Sequence, residues 1–259
     1  GKEEIMRKAI PGAIRQAVSG KGLYIGILAA TVILLLSSVQ DVLQAFRSEE
    51  LLQSGFHHTF LMKALTSDAM TLALPIIAAL PFTSSFLDDM KSGFVKEYLP
   101  RTTKNGYLLG KIFGSLVSGG LSVSIGVLLG YVVAVLVFSP MEAAQEPGAV
   151  SHPYFEELMG KVLLFFCSGA FWSLVGLTFA TLTSSKYMAY ASPFVLYYVL
   201  IILYERYFDT LYVLYPKEWT NPSAFWMWGN TGVVLLLLEL IILFSLLFFH
   251  AAKRRLEQI

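Results

Sequence analysis

Glu239 stands between Leu238 and Leu240, in the middle of a long apolar run. An ionised carboxylate at the centre of a membrane-spanning helix costs about 2.5–3.5 kcal/mol. Such a group must be protonated, paired, turned into a helix bundle, or placed on a translocation path. A lone acid is weak evidence for a proton relay. His57-His58 suggests a metal, but adjacent helical residues point to different faces and no third ligand is offered. No metal is expected. An intramembrane protease would need paired glutamates and separate histidines within its spans. Here Glu156-Glu157 is followed by Lys161 near a membrane face, Glu49-Glu50 lies in a loop, and His250 sits at the far edge of the last apolar run. No acid–histidine set is expected to converge at membrane depth, so no catalytic residue is assigned. The single cysteine, Cys167, allows no intrachain disulfide.

The elements that carry these residues are membrane helices. The 259-residue chain is 56% hydrophobic and only 14% charged, where a soluble domain carries about 25% charged residues. Apolar runs cover approximately 22–39, 69–86, 107–138, 160–183, 187–204 and 231–250. A spanning helix needs roughly 20 such residues. Backbone groups in lipid must be satisfied internally, so six helices are predicted. The third run exceeds one span and must tilt, kink or project. Pro75, Pro81 and Pro193 mark expected kinks.

Fourteen of the nineteen Lys and Arg residues fall on one side of this zigzag. They are Lys2, Arg7, Lys8, Arg15 and Lys21; Lys91, Lys96, Arg101, Lys104 and Lys111; Lys186; and Lys253, Arg254 and Arg255. Arg47, Lys63, Lys161, Arg206 and Lys217 lie on the other. The positive-inside rule places both termini in the cytoplasm. The charged start does not read as a cleavable signal peptide, and the first span is expected to serve as its own insertion signal.

Two segments on the basic side carry helical patterning. Residues 1–21 place Ile5, Met6, Ala9, Ile10, Ala13, Ile14 and Ala17 on a stripe opposite Lys2, Glu3, Arg7, Lys8, Arg15 and Gln16. This is an interfacial amphipathic helix, broken or bent at Pro11-Gly12. A topological anchor and a partner-touching elbow both fit it. Residues 87–106 follow the second span. Leu87, Met90, Phe94 and Tyr98 recur at helical spacing among Asp88, Asp89, Lys91, Lys96 and Glu97, and Pro100 stops the helix. A short helix dense in both charges suits a docking surface for a soluble protein, and a solvated loop is the plainer alternative.

Phe86, Asp88 or Asp89, Gly93, Pro100-Arg101 and Tyr107-Leu108-Leu109-Gly110-Lys111 resemble the pattern of permease subunits of ABC type-2 exporters. The six-span layout and N-terminal helix extend that likeness over nearly the whole chain. The resemblance implies an all-α polytopic membrane protein with the ABC type-2 (type V) exporter fold. It implies an elbow helix at 1–21, a coupling helix over 88–98, and outer re-entrant or interfacial helices at 205–229. Asp88, Asp89, Gly93, Phe94, Glu97, Tyr98 and Arg101 would contact a cytoplasmic ATPase. Two ATPases and two permeases would form the unit, with ATP and Mg bound by the partner. The chain contains no G-x-x-x-x-G-K-[ST]; Ser19-Gly20-Lys21-Gly22 lacks its spacing. No cofactor of its own and no nucleic-acid partner are expected.

The third run is rich in Gly and Ser. Gly110/Gly114 and Gly126/Gly130 form G-x-x-x-G pairs that allow close helix approach, static or sliding. The opposite side carries acidic loops, with Glu142, Glu146, Glu156 and Glu157 among Pro140, Pro147 and Pro153. The aromatic stretch 204–228 suits a headgroup belt or an amphipathic substrate. The expected function is export of an amphipathic substrate, a peptide toxin or antimicrobial, as in the similar phenol-soluble modulin exporters. The expected site is a bacterial plasma membrane. An ATP-independent carrier or channel is the alternative, and an intramembrane protease fits less well.

Overall fold

The structure is a computed structural model that describes residues 2–47, 50–144 and 154–258. Eleven α-helices occur among them: α1 Lys2–Val18, α2 Lys21–Ser37, α3 Val39–Arg47, α4 Phe56–Leu65, α5 Asp68–Ala79, α6 Ser85–Lys91, α7 Phe94–Tyr98, α8 Lys104–Phe138, α9 Tyr154–Thr183, α10 Lys186–Arg206 and α11 Asn230–Leu256. The only β-pairing among the described residues is a single bridge between Leu52 and Glu142. The chain is therefore all-α. Four helices, α8 to α11, are long and apolar enough to cross a membrane, and up to six spans result if each of two bent pairs crosses as one.

One of those pairs revises an expected span. α1 and α2 meet at a 50° bend, at the junction expected between the N-terminal helix and the run 22–39, whereas α4 and α5 meet at 65°. The run 69–86 is not one kinked helix. α5 has 12 residues, a rise of about 18 Å against about 30 Å of hydrocarbon. Ser67 starts it by accepting a hydrogen bond from the Met70 N–H. Its other end falls just before Pro81, and residues 80–84 form turns. The expected break at Pro11 is also absent. α1 runs through it, with Pro11 and Gly12 on the exposed side. Side chains 2–8 lie outside the described residues, as do Glu49, Glu146, Pro147 and Pro153.

α8 is the centre of the bundle, and its small residues are used on three sides. Gly110 and Gly114 receive α1 through Ala9 and Ala13. Gly126 and Gly130 receive α2 through Ala30 and Leu34. Gly119 and Gly120 receive α9. A Cβ on Gly119 would sit 2.8 Å from the Gly169 carbonyl oxygen. Between α8 and α9, Ser115 and Ser173 share a hydrogen bond of 2.7 Å. Other hydroxyls of this layer bond their own helix, as Ser118 does to the Gly114 carbonyl at 2.7 Å.

The bundle has a basic end, where α6, α7 and the termini of α8, α10 and α11 meet, and a far end. Near the far end the core is aromatic. Trp172 of α9 stacks on Trp219 at 5.7 Å, and Phe171 meets the same indole edge-on at 5.5 Å. Trp219 comes from the segment between α10 and α11. Helices were expected at 205–229. Beyond Arg206 the segment instead folds as turns around one 3-10 turn, Tyr212–Leu214. The Trp219 indole N–H bonds the Val213 carbonyl at 2.9 Å. Glu218 accepts from the Ser223 N–H and the Trp226 indole at 2.7 and 3.0 Å.

Candidate functional site

The charged segment at the basic end is two short helices, not the single rod expected over 88–98. Gly93 separates α6 from α7 with φ +78°. That left-handed geometry favours glycine and prevents the helix from continuing. Pro100 then sits in a 3-10 turn, Leu99–Arg101. The Arg101 side chain lies outside the described residues.

The two adjacent acids have different fates. Asp89 is only 9% exposed and Lys111 only 2%. The Lys111 ammonium lies 2.7 Å from Asp89 Oδ2. The Tyr107 hydroxyl donates to the same oxygen at 2.8 Å. Lys111 also reaches the Ser85 carbonyl at 3.4 Å and lies over the Phe82 ring at 4.8 Å. Asp89 is thus a buried anchor from α6 to α8 and offers no charge to a docking partner. Asp88 is half-buried. It pairs with Lys186 at the start of α10 and accepts from Ser84 Oγ at 2.8 Å. Both acids tie the segment to the bundle.

The outward face falls to other residues. Phe94 is 44% exposed and stacks on Tyr98 at 5.1 Å. Lys91, Lys96, Glu97 and Pro100 are exposed around them, while Val95 is buried beneath. Phe94 and Tyr98, with Ala13 and Gln16 of α1, wall a cavity of about 230 Å³ whose floor is the Asp89–Lys111 pair.

Glu239 is exposed on α11, with Leu235, Leu238, Ile242 and Leu243 exposed around it. It faces outward, so the expectation of a bundle-interior position is corrected. Among the described residues it has no hydrogen-bond or ion-pair partner. α11 turns its buried residues, such as Val233 and Leu237, toward α9 and leaves the acid on the opposite side.

Two acid–histidine pairs at the far end were not expected. His57 Nδ1 lies 2.7 Å from Glu142 Oε1, and the His57 and Gly55 N–H groups donate to the same carboxylate at 2.8 and 2.9 Å. Burial pushes the Glu142 carboxyl up, but these hydrogen bonds outweigh it and hold the group below the usual carboxylate range. His58 Nε2 lies 2.9 Å from Glu157 Oε2, and its ring packs on Tyr154 at 4.5 Å. The pairs join residues 85 and 99 positions apart. No local spacing announces them. The adjacent histidines do diverge, each taking its own glutamate. Among the described residues no three His, Cys, Asp or Glu side chains converge as a metal set. The pairs clasp α4 to the end of α8 and the start of α9.

No protein-family model matches the chain, and neither a curated protein nor a solved structure is significantly similar to it.

Proposed function

We propose that this chain is the membrane permease of an ATP-driven exporter of ABC type-2 architecture. It works as a homodimer and carries an amphipathic peptide. The observation that carries this reading is the anchored segment at the basic end. Phe94, Lys96 and Glu97 face outward, while Asp89, immediately before this surface, is bound to the base of α8. α8 in turn holds α1, α2 and α9 through glycine contacts. A soluble ATPase seated on α7 would displace the spans along with the segment. The concentration of Lys and Arg at this end supports a cytoplasmic orientation in a bacterial plasma membrane. In this reading Glu239 faces the path between two copies. Exposure removes the need for a partner within the chain and leaves the acid free to meet a cationic cargo.

The test isolates the chain from its native membrane in mild detergent and measures ATP hydrolysis in the purified material. ATPase activity is expected to co-purify. The double variant Phe94→Ala/Glu97→Lys is expected to lose it while staying monodisperse. The exposed Glu239 also suits an ATP-independent carrier. Transport by the pure chain in liposomes without nucleotide, with no co-purifying ATPase, would replace the first reading with that one.

A further inference from the structure

At the basic end, α11 carries a stripe that changes character abruptly. Leu243, Leu247, His250 and Arg254 all fall within about 60° of one helix face at 100° per residue. All four are exposed. The apolar part ends at Phe249, so His250 and Arg254 stand where hydrocarbon gives way to headgroups. Beside them lies a cavity of about 330 Å³ between α11 and Leu182 at the end of α9. Its far wall is fixed by Arg255, whose guanidinium bonds Ser184 Oγ and donates to the Leu182 carbonyl at 2.8 Å. Ser184 holds the turn with φ +56°. Arg255 is therefore committed to the protein. Arg254 and His250 are not: among the described residues neither has an ion-pair or hydrogen-bond partner. Glu257, one turn on, neither pairs with them nor lines the cavity.

We propose that this cavity is a binding site for one anionic phospholipid. Its phosphate sits between His250 and Arg254, and an acyl chain lies along Leu247 and Leu243. The chemistry favours a lipid over a soluble anion. The donors adjoin a bare leucine face that a free phosphate could not cover, whereas a phospholipid satisfies both halves. The cation is an arginine, whose planar fork matches phosphate oxygens. The site is independent of what the protein transports.

Lys253 supplies the control. It belongs to the same turn and carries the same charge, but it is displaced by about 100° from Arg254 and does not line the cavity. The full chain is purified into nanodiscs of mixed phosphatidylglycerol and phosphatidylcholine, and retained lipid is read by native mass spectrometry. One phosphatidylglycerol per chain is expected to be retained in preference to phosphatidylcholine. Arg254→Gln is expected to lower that retention about fivefold, the effect of one basic side chain near an anionic surface. Lys253→Gln should leave it unchanged. Equal losses from Arg254→Gln and Lys253→Gln would mean diffuse surface charge and overturn the site. Displacement of the lipid by millimolar inorganic phosphate would show a free-anion site instead. Equal retention of the two lipids by the unsubstituted protein would sink the proposal without any variant.

Discussion

Replacing Asp89 with asparagine keeps the side chain's shape and its hydrogen bond from Tyr107, but removes the counter-charge of the Lys111 ammonium. That ammonium then keeps only neutral partners: the amide oxygen it would share with Tyr107, the Ser85 carbonyl at 3.4 Å and the faces of Phe82 and Tyr107. Removing one member of a buried ion pair costs about 3–5 kcal/mol, because the remaining charge stays desolvated. At about 2–4 °C per kcal/mol for a chain of this size, the melting temperature should fall by roughly 6–20 °C. Lys111→Met strands the carboxylate and should act on the same scale. The double variant Asp89→Asn/Lys111→Met removes both charges and should melt above either single variant. The assay is thermal unfolding of the four proteins in one detergent, followed by tryptophan fluorescence. Single-variant shifts below about 2 °C would refute the reasoning, since a pair worth that little behaves as a surface pair. Losses that simply add in the double variant would refute it too.

Gly119→Ala should part α8 from α9, because the new Cβ lands 2.8 Å from a backbone oxygen of Gly169; size-exclusion profiles should show loss of the folded species, while Gly12→Ala, with nothing within 4 Å, should leave them unchanged. The Glu142 carboxyl is held below its ordinary value of 4.5. Its contribution is therefore complete above that pH and is lost as pH falls through the lower folded-state value. Glu142→Gln should remove that acid-limb loss of melting temperature between pH 7 and 3, and an acid limb identical to the parent's would count against the clasp. Glu239→Gln should leave the melting temperature within about 2 °C, since an exposed group without partners contributes little to folding, yet should alter transport of a cationic peptide; a large stability change would mean that Glu239 is buried after all.

Hydropathy was enough to read the helical class and the four long helices, because each is long, apolar and uninterrupted by turn chemistry. It failed where a span is built from pieces. The run 69–86 reads as one span, but α5 stops before Pro81, and its partner α4 lies in the histidine-bearing stretch that hydropathy leaves outside the runs. The charged segment was legible as a special place, but not its internal division. Asp88 and Asp89 look equivalent in sequence. The contrast comes from Lys111 and Tyr107, about twenty residues on, and only packing brings those to Asp89. Gly93 was visible as a glycine, and its left-handed backbone was not. The His57–Glu142 and His58–Glu157 pairs lie outside any periodic signal. The depth of Trp219 was hidden for a different reason: an aromatic-rich loop reads as a belt whether or not one ring turns inward.

The position of α8 in the chain bears on how the protein is made. α1, α2, α4 and α5 all precede α8 and all touch it. Synthesis delivers segments from the N-terminus onward. Once residue 138 has left the ribosome, the early half already holds the surface it needs, with the Gly110, Gly114, Gly126 and Gly130 recesses open to helices already in place. The Gly119–Gly120 face has no occupant until α9 emerges. Biogenesis therefore divides into an amino-terminal set of helices that meet on α8 and a carboxy-terminal set of three, of which α9 fills the Gly119–Gly120 seam while α9 and α10 also pack on α5. A nascent chain stalled between those two stages would leave that seam bare to the membrane.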